Sequence, residues 1–204
     1  MLEWVVRHRN PVTALVSICA AALLLTACGA DGGSSASTTS DGEPVPGGVA
    51  RIIQVREPVS LDPATLANNW VGQGLLGNAL YGTLMIDDPH TLELEHRMAE
   101  DFVTSDGGAT FLLTLRPDLA FTDGTPLDAE AVKFNWDRIL DPSLGSGSLT
   151  LASQIAGTEV IDDATLKITL VAPNPKFGNS ITSSGLNWIA SPSALAEGNR
   201  RLQR

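Results

Sequence analysis

An apolar run that stops at Cys28, followed by twenty residues unable to build a core, confines the folded body of this chain to what comes after Gly48. The opening segment MLEWVVRHRN carries Arg7, His8 and Arg9, and residues 12–25 then run without a charge, rich in Ala, Leu and Val. A membrane-crossing helix needs about 20 apolar residues to span roughly 30 Å of hydrocarbon. This run is shorter and has Pro11 at its entry. A basic segment, a short apolar stretch and small residues before a cleavage point read instead as a secretory signal peptide over residues 1–27. Residues 29–48 are mostly Gly, Ser, Thr, Asp and Pro, with Val45 their one large apolar residue. Such a stretch buries too little surface to offset its ordering entropy, and it behaves as a flexible tether. The folded body is expected over residues 49–204, a length that suits one domain.

The boundary itself, Leu25-Thr26-Ala27-Cys28, resembles the lipobox of bacterial lipoproteins. The resemblance implies that Cys28 is lipidated and becomes the mature N-terminus, with residues 28–48 as lipidated cysteine and disordered tether. Acyl chains add about 0.8 kcal/mol per buried CH₂, and several chains hold a protein at a membrane surface. The alternative is an uncleaved membrane anchor with an incidental cysteine. Cys19, the only other cysteine, would leave with the signal, so no disulfide framework is expected.

The formal charge of the chain is -10. An acidic surface offers nucleic-acid phosphates no electrostatic attraction, so nucleic acid is excluded as a partner. Residues 50–57, ARIIQVRE, alternate in the manner of a strand, with Ile53 and Val55 on one flank. VGQGLLGNALYGTL reads as a helix through Leu75, Leu76, Ala79 and Leu80, ending near Gly82. Residues 110–117 and 165–173 read as strands stopped by proline, and Leu166, Ile168 and Leu170 share one face. Residues 128–140 make the strongest helix: Asp128 caps it, Glu130 suits its N-terminus, and Val132, Trp136, Ile139 and Leu140 form its buried stripe. Alternating helices and strands give an α/β class.

Chemical motifs are sparse. Gly72-Gln73-Gly74-Leu75-Leu76-Gly77 fits G-x-G-x-x-G, but no strand-like run precedes it, as a dinucleotide site requires. It reads as a helix start near a close backbone contact. H-E-x-x-H, G-x-S-x-G and S-x-x-K are all missing, so no catalytic residue is assigned. His90 and His96 lack zinc-site spacing and read as exposed loop residues. No metal and no cofactor are expected. Asp87-Asp88-Pro89 and Asp162-Asp163 read as turns. Trp70, Trp136 and Trp188 could stack on a ligand; Trp136 belongs to the helix stripe and reads as core, whereas Trp70 sits in a Pro/Asn-rich loop and suits ligand contact and packing equally.

The most informative stretch is FLLTLRPDLAFTDGTPLDAEAVKFNWDRILDP, residues 111–142. Asp123-Gly124 supplies an Asx-type turn followed by a residue free to take positive φ, and Thr125-Pro126 leads into the capped helix. This block resembles the signature of the family 5 extracellular solute-binding proteins of ABC importers, F-x-L-R, then F-x-D-G-x-P, then A-x-D-V on a helix. SLDPATLANN, NALYGTLM and VIDDATLKITLVAPNPKF resemble further family segments in the family's order. Leu113 and Ala131 depart from the pattern at structural positions.

The resemblance implies a type II periplasmic-binding-protein-like fold, with the N-terminal part of lobe one only and a second lobe missing. It implies a lipid-anchored binding component, not an enzyme, that captures peptides or a similar small solute outside the membrane and delivers it to permease subunits. The protein would act as a monomer. Ala67, Asn68, Asn69 and Trp70, after L-D-P, would face the solute, with Ser148 as a second contact. An extracellular lipoprotein hydrolase and a nonfunctional remnant are the competing readings, and turnover of a peptide or ester would favour the first of these.

Overall fold

The computed structural model describes residues 47, 49, 51–54, 57, 58, 60–66 and 73–202. The chain divides into two units, Met1–Ala50 and Arg51–Arg204, and the elements below all belong to the second. Residues 1–46, with the signal peptide, Cys28 and most of the tether, lie outside the described residues.

Strict alternation builds the main sheet. In β4 (Thr110–Leu115), Phe111, Leu113 and Leu115 are buried and Leu112 is exposed. In β6 (Thr165–Leu170) the buried set is Leu166, Ile168 and Leu170, the face expected from the sequence. The two strands pair antiparallel, Leu113 opposite Leu166 and Phe111 opposite Ile168, so the apolar faces coincide. β3 (Ala99–Val103) and β5 (Ile155–Val160) flank them, giving the order β3-β4-β6-β5 with every neighbour antiparallel. Phe102 of β3 stacks on Phe111 with ring centroids 4.8 Å apart. A hairpin of β1 (Met85–Asp87) and β2 (Leu94–His96) stands apart from this sheet. Asp88 turns it, accepting the N–H groups of His90 and Thr91 at 2.8 and 2.7 Å, as expected of Asp-Asp-Pro.

The strongest helix of the sequence is α2 (Ala129–Ile139). Asp128 caps it, its carboxylate accepting the Ala131 N–H at 2.8 Å. Val132, Trp136 and Ile139 are buried against the sheet core, and the Trp136 indole N–H donates to the Leu186 carbonyl at 2.8 Å. Trp136 is therefore core. Leu140 is not on the stripe. It is the C-cap residue and 40% exposed, while Asn135, one turn before Ile139, is buried.

A second correction concerns residues 50–57. Residues 51–54 form no strand, and Ile53 is 96% exposed. Alternation supplies an apolar flank, but a strand also needs a ladder partner, and no described strand runs beside these residues. Helix α1 (Gln73–Tyr81) ends as expected, with Gly82 at φ +65. Its buried face is Gln73 and Gly77, whereas Leu75 and Leu80 are half-exposed. Gly77, the last glycine of G-x-G-x-x-G, lies flat against the Trp188 ring, which is the close backbone contact expected there.

A Cβ at position 77 would overlap three ring atoms of Trp188, a residue with no exposed surface and with its indole N–H held by Asn78 Oδ1 at 2.8 Å. Alanine normally gains up to about 1 kcal/mol over glycine within a helix. Overpacking costs about 1–3 kcal/mol. Gly77→Ala is thus expected to destabilise the protein, seen as a lower urea midpoint with unchanged m-value. A raised midpoint would show that the ring can move aside.

Candidate functional site

Three short motifs converge on one cleft. The first is Leu61-Asp62-Pro63. Asp62 starts a tight turn, accepting the Ala64 N–H on Oδ1 at 3.0 Å and, through its carbonyl, the N–H groups of Thr65 and Leu66. The same carboxylate takes two bonds from the Arg138 guanidinium of α2, at 3.0 and 2.5 Å. Only 14% of the arginine side chain and 20% of the aspartate side chain remain exposed. A forked, mostly desolvated pair is stronger and more directional than a surface ion pair. It fixes the L-D-P turn to the helix.

The second motif is the end of α1. The Tyr81 hydroxyl donates to the Leu61 carbonyl. Burial pushes the Tyr81 phenol above its ordinary range, the Asp62 carboxylate adds to this, and the Arg138 guanidinium opposes it. The tyrosine stays protonated and keeps its donor.

The third is the Asp-Gly turn. Asp123 Oδ1 accepts the Thr125 N–H at 2.9 Å and the Thr125 hydroxyl at 2.6 Å, and Gly124 takes φ +83. This is the expected Asx turn. Oδ2 accepts the hydroxyls of Ser191 and Ser193 at 2.5 and 2.8 Å, which the sequence did not announce. The Ser191 hydroxyl first, then Thr125 and Ser193, hold the Asp123 carboxyl well below the usual carboxylate range.

Between these motifs lies a cleft of about 550 Å³, within the usual range for small-ligand sites. Its walls are mainly apolar, with Leu61, Leu80, Phe121, Leu127, Ile189 and Leu195. The oxygens at its edge are largely committed: Asp62 to Arg138, Tyr81 to Leu61, and Asp123 to four donors. Such a cleft selects by shape and apolar contact. His90 and His96 do not line it, and among the described residues no group of three His, Cys, Asp or Glu could hold a metal ion.

Ala67, Asn68, Asn69 and Trp70 lie outside the described residues. The segments on either side of them, through Asp62 and Tyr81, do line the cleft. Ser148 lies elsewhere. Its hydroxyl accepts the Gly185 N–H at 2.8 Å at the start of the 3-10 turn Gly185–Asn187, and it is not part of the cleft wall. Trp188 is fully buried and bonded within the protein, so it is not free to stack on a ligand. The sequence marks L-D-P, D-G and the segment that carries Tyr81, but neither the bond from Tyr81 to Leu61 nor the roles of Arg138 and Ser191, because each is identified only by a partner remote in the chain.

The folded pKa of Asp123 is depressed, so its contribution to stability is fully present above the unfolded value of about 3.9 and is lost as pH falls toward the folded value. The Tm difference between wild type and Asp123→Asn is expected to hold from about pH 7 to about pH 5 and to narrow in the acid range below. Thermal scans across pH measure it. A difference that stays constant into strong acid would show that the charge is immaterial.

Comparison with known proteins gives a consistent picture. Residues 93–199 match the family described as Bacterial extracellular solute-binding proteins, family 5 Middle. The Glutathione-binding protein GsiB of Escherichia coli (strain K12) is 37% identical over 136 residues, which is 67% of this chain and 26% of that protein. The chain spans about a quarter of the length of the curated relatives it matches. Among solved structures, a periplasmic oligopeptide-binding protein of Borrelia burgdorferi is similar at TM-score 0.59 and 28% identity, over 70% of this chain and 31% of its own. Haemophilus influenzae OppA in complex with the peptide RPPGFSPFR is similar at TM-score 0.61 and 22% identity, over 69% and 30%. The latter likeness shows the fold, the type II periplasmic-binding-protein α/β fold in part.

Proposed function

Because this chain belongs to the bacterial extracellular solute-binding proteins of family 5, we propose that it is a lipid-anchored binding component of an ABC importer, taking up peptides or peptide-like solutes outside the membrane. The observation that carries this reading is the apolar cleft between the L-D-P turn, the end of α1 and the Asp-Gly turn. Its committed polar rim suits capture rather than chemistry. GsiB, a glutathione-binding protein by name, supports a small peptide as the solute class. Ala67, Asn68, Asn69 and Trp70, which lie in sequence between Asp62 and Tyr81 of the cleft wall, are proposed to contact the solute, with Ser148 as a second contact. The importer's permease subunits are the proposed partners, and the binding component acts as a monomer. No enzymatic turnover is part of this role.

The anchor belongs to the same reading. Residues 1–27 act as signal peptide, Cys28 carries the lipid, residues 28–48 form the tether and residues 49–204 the binding domain. Mass spectrometry of the membrane fraction should find a lipidated Cys28 at the N-terminus, and Cys28→Ala should release the protein or block its processing. An unmodified Cys28 in the mature protein would sink the anchor.

The described cleft is open to solvent and desolvates only part of a ligand, so contacts that reward closure are few. Calorimetry on this chain with glutathione and short peptides is expected to give saturable binding no tighter than about millimolar, near -4 kcal/mol. Trp70→Ala should weaken it further. Total lack of saturation would count against the cleft as a solute site, whereas micromolar binding would mean that the cleft, with Ala67 to Trp70, is a complete site.

A further inference from the structure

Helix α5 (Pro192–Leu202), which follows the short helices α3 (Leu149–Ala152) and α4 (Phe177–Thr182), forms one wall of the cleft, through Ala194, Leu195 and Gly198. It is nonetheless poorly embedded. Ser193, Ala194, Ala196, Glu197 and Gly198 are exposed, and Leu195 is the one half-buried side chain between them. The body grips this helix at its first turn. Just before it, Ala190 is held by the Asn135 amide, which accepts the Ala190 N–H at 3.1 Å and donates to the Ala190 carbonyl at 2.8 Å. At the turn itself, Asp123 Oδ2 binds the hydroxyls of Ser191 and Ser193, which also touch each other at 2.8 Å. The Ser191 hydroxyl in turn accepts the Ala194 N–H at 3.2 Å, one of the amides that a helix start leaves without an internal partner.

The geometry divides the Asp123 carboxylate between two bodies. Oδ1 is fixed by the hydroxyl and N–H of Thr125 within its own turn. That turn is closed by the Phe121 N–H to the Thr125 carbonyl and the Gly124 N–H to the Phe121 carbonyl, both at 2.9 Å. Oδ2 is given wholly to α5. With both oxygens occupied, the group has little capacity left for a ligand. Anionic charge at a helix N-terminus is also favourable.

We propose that α5 is a movable wall of the cleft and that Asp123 is the positioning residue that latches it to the body. The latch joins an Asx turn anchored in front of α2 to the first turn of a helix on which Ala194, Ala196, Glu197 and Gly198 are exposed. Releasing it frees the wall while the four-stranded sheet stays intact. The device does not depend on which solute the cleft takes.

Hydrogen exchange read by mass spectrometry on the whole chain tests this without a ligand. In Asp123→Ala, amides of residues 195–198 are expected to exchange at least about tenfold faster, an increase clearly larger than any in β4 and β6. Ser193→Ala, which removes one hydroxyl outside the cleft wall, should give a smaller increase confined to the same residues. Ser193→Thr, which keeps the hydroxyl, should restore protection. Unchanged exchange in α5 of a folded Asp123→Ala protein would overturn the proposal. An increase shared equally by β4 and β6 would overturn it too, since the carboxylate would then support the fold at large. If Asp123→Ala fails to fold, the Ser193→Ala and Ser193→Thr pair decides, and indistinguishable exchange in the two rejects the latch.

Discussion

Residues 184–191 run through the interior without belonging to a strand or an α-helix. Leu186, Asn187, Trp188 and Ile189 are at most 1% exposed. Buried backbone outside regular structure must find its hydrogen bonds piecemeal, in turns such as the Trp188 N–H to the Gly185 carbonyl and from side chains, because no ladder supplies them. Here the side chains are Trp136 on the Leu186 carbonyl, Asn135 on both groups of Ala190, and Asn187, which reaches out to both groups of Met85 at 3.0 and 2.9 Å. Leaving one such group unpaired costs about 1–3 kcal/mol, so the path of this stretch is tightly specified. The β1 strand, helix α2 and the entry to α5 all take their positions from it.

Helix α2 is the common element. Within two turns it presents Asn135 to Ala190, Trp136 to Leu186 and Arg138 to Asp62. One helix thereby holds two walls of the cleft, the L-D-P turn and the approach to α5. The cleft is a consequence of helix–body geometry rather than of any single loop, and its edge oxygens are spent on construction. That fits the family to which the chain belongs, the bacterial extracellular solute-binding proteins of family 5.

What could be read from the sequence was local. The faces of β4 and β6, the Asp128 cap and the Asp123-Gly124 turn each follow from spacing within a few residues, and each is present. The resemblance to family 5 came from the same short segments and was likewise right. The failures share a cause. Residues 51–54 have strand-like alternation but no described neighbour to pair with, and Leu140 follows the helical period but falls on the cap. The partners of Asp62, Tyr81 and Asp123 were hidden because Arg138, Leu61 and Ser191 become identifiable only once the chain is folded.

The sheet order also bears on how the molecule assembles. β3 with β4, and β5 with β6, are neighbours along the chain and close short loops. The central pair, β4 with β6, joins Leu113 to Leu166 across all of α2 and its flanking turns. Short loops close quickly, and pairings distant in sequence bear more chain entropy before any contact rewards them. The two hairpins therefore carry the smaller closure cost, while the seam between them, which packs against Val132 and Trp136 of α2, carries the larger one. Until that seam closes, Leu113 and Ile168 stay wet, and this is the interval in which the chain is most open to misassociation with its own copies.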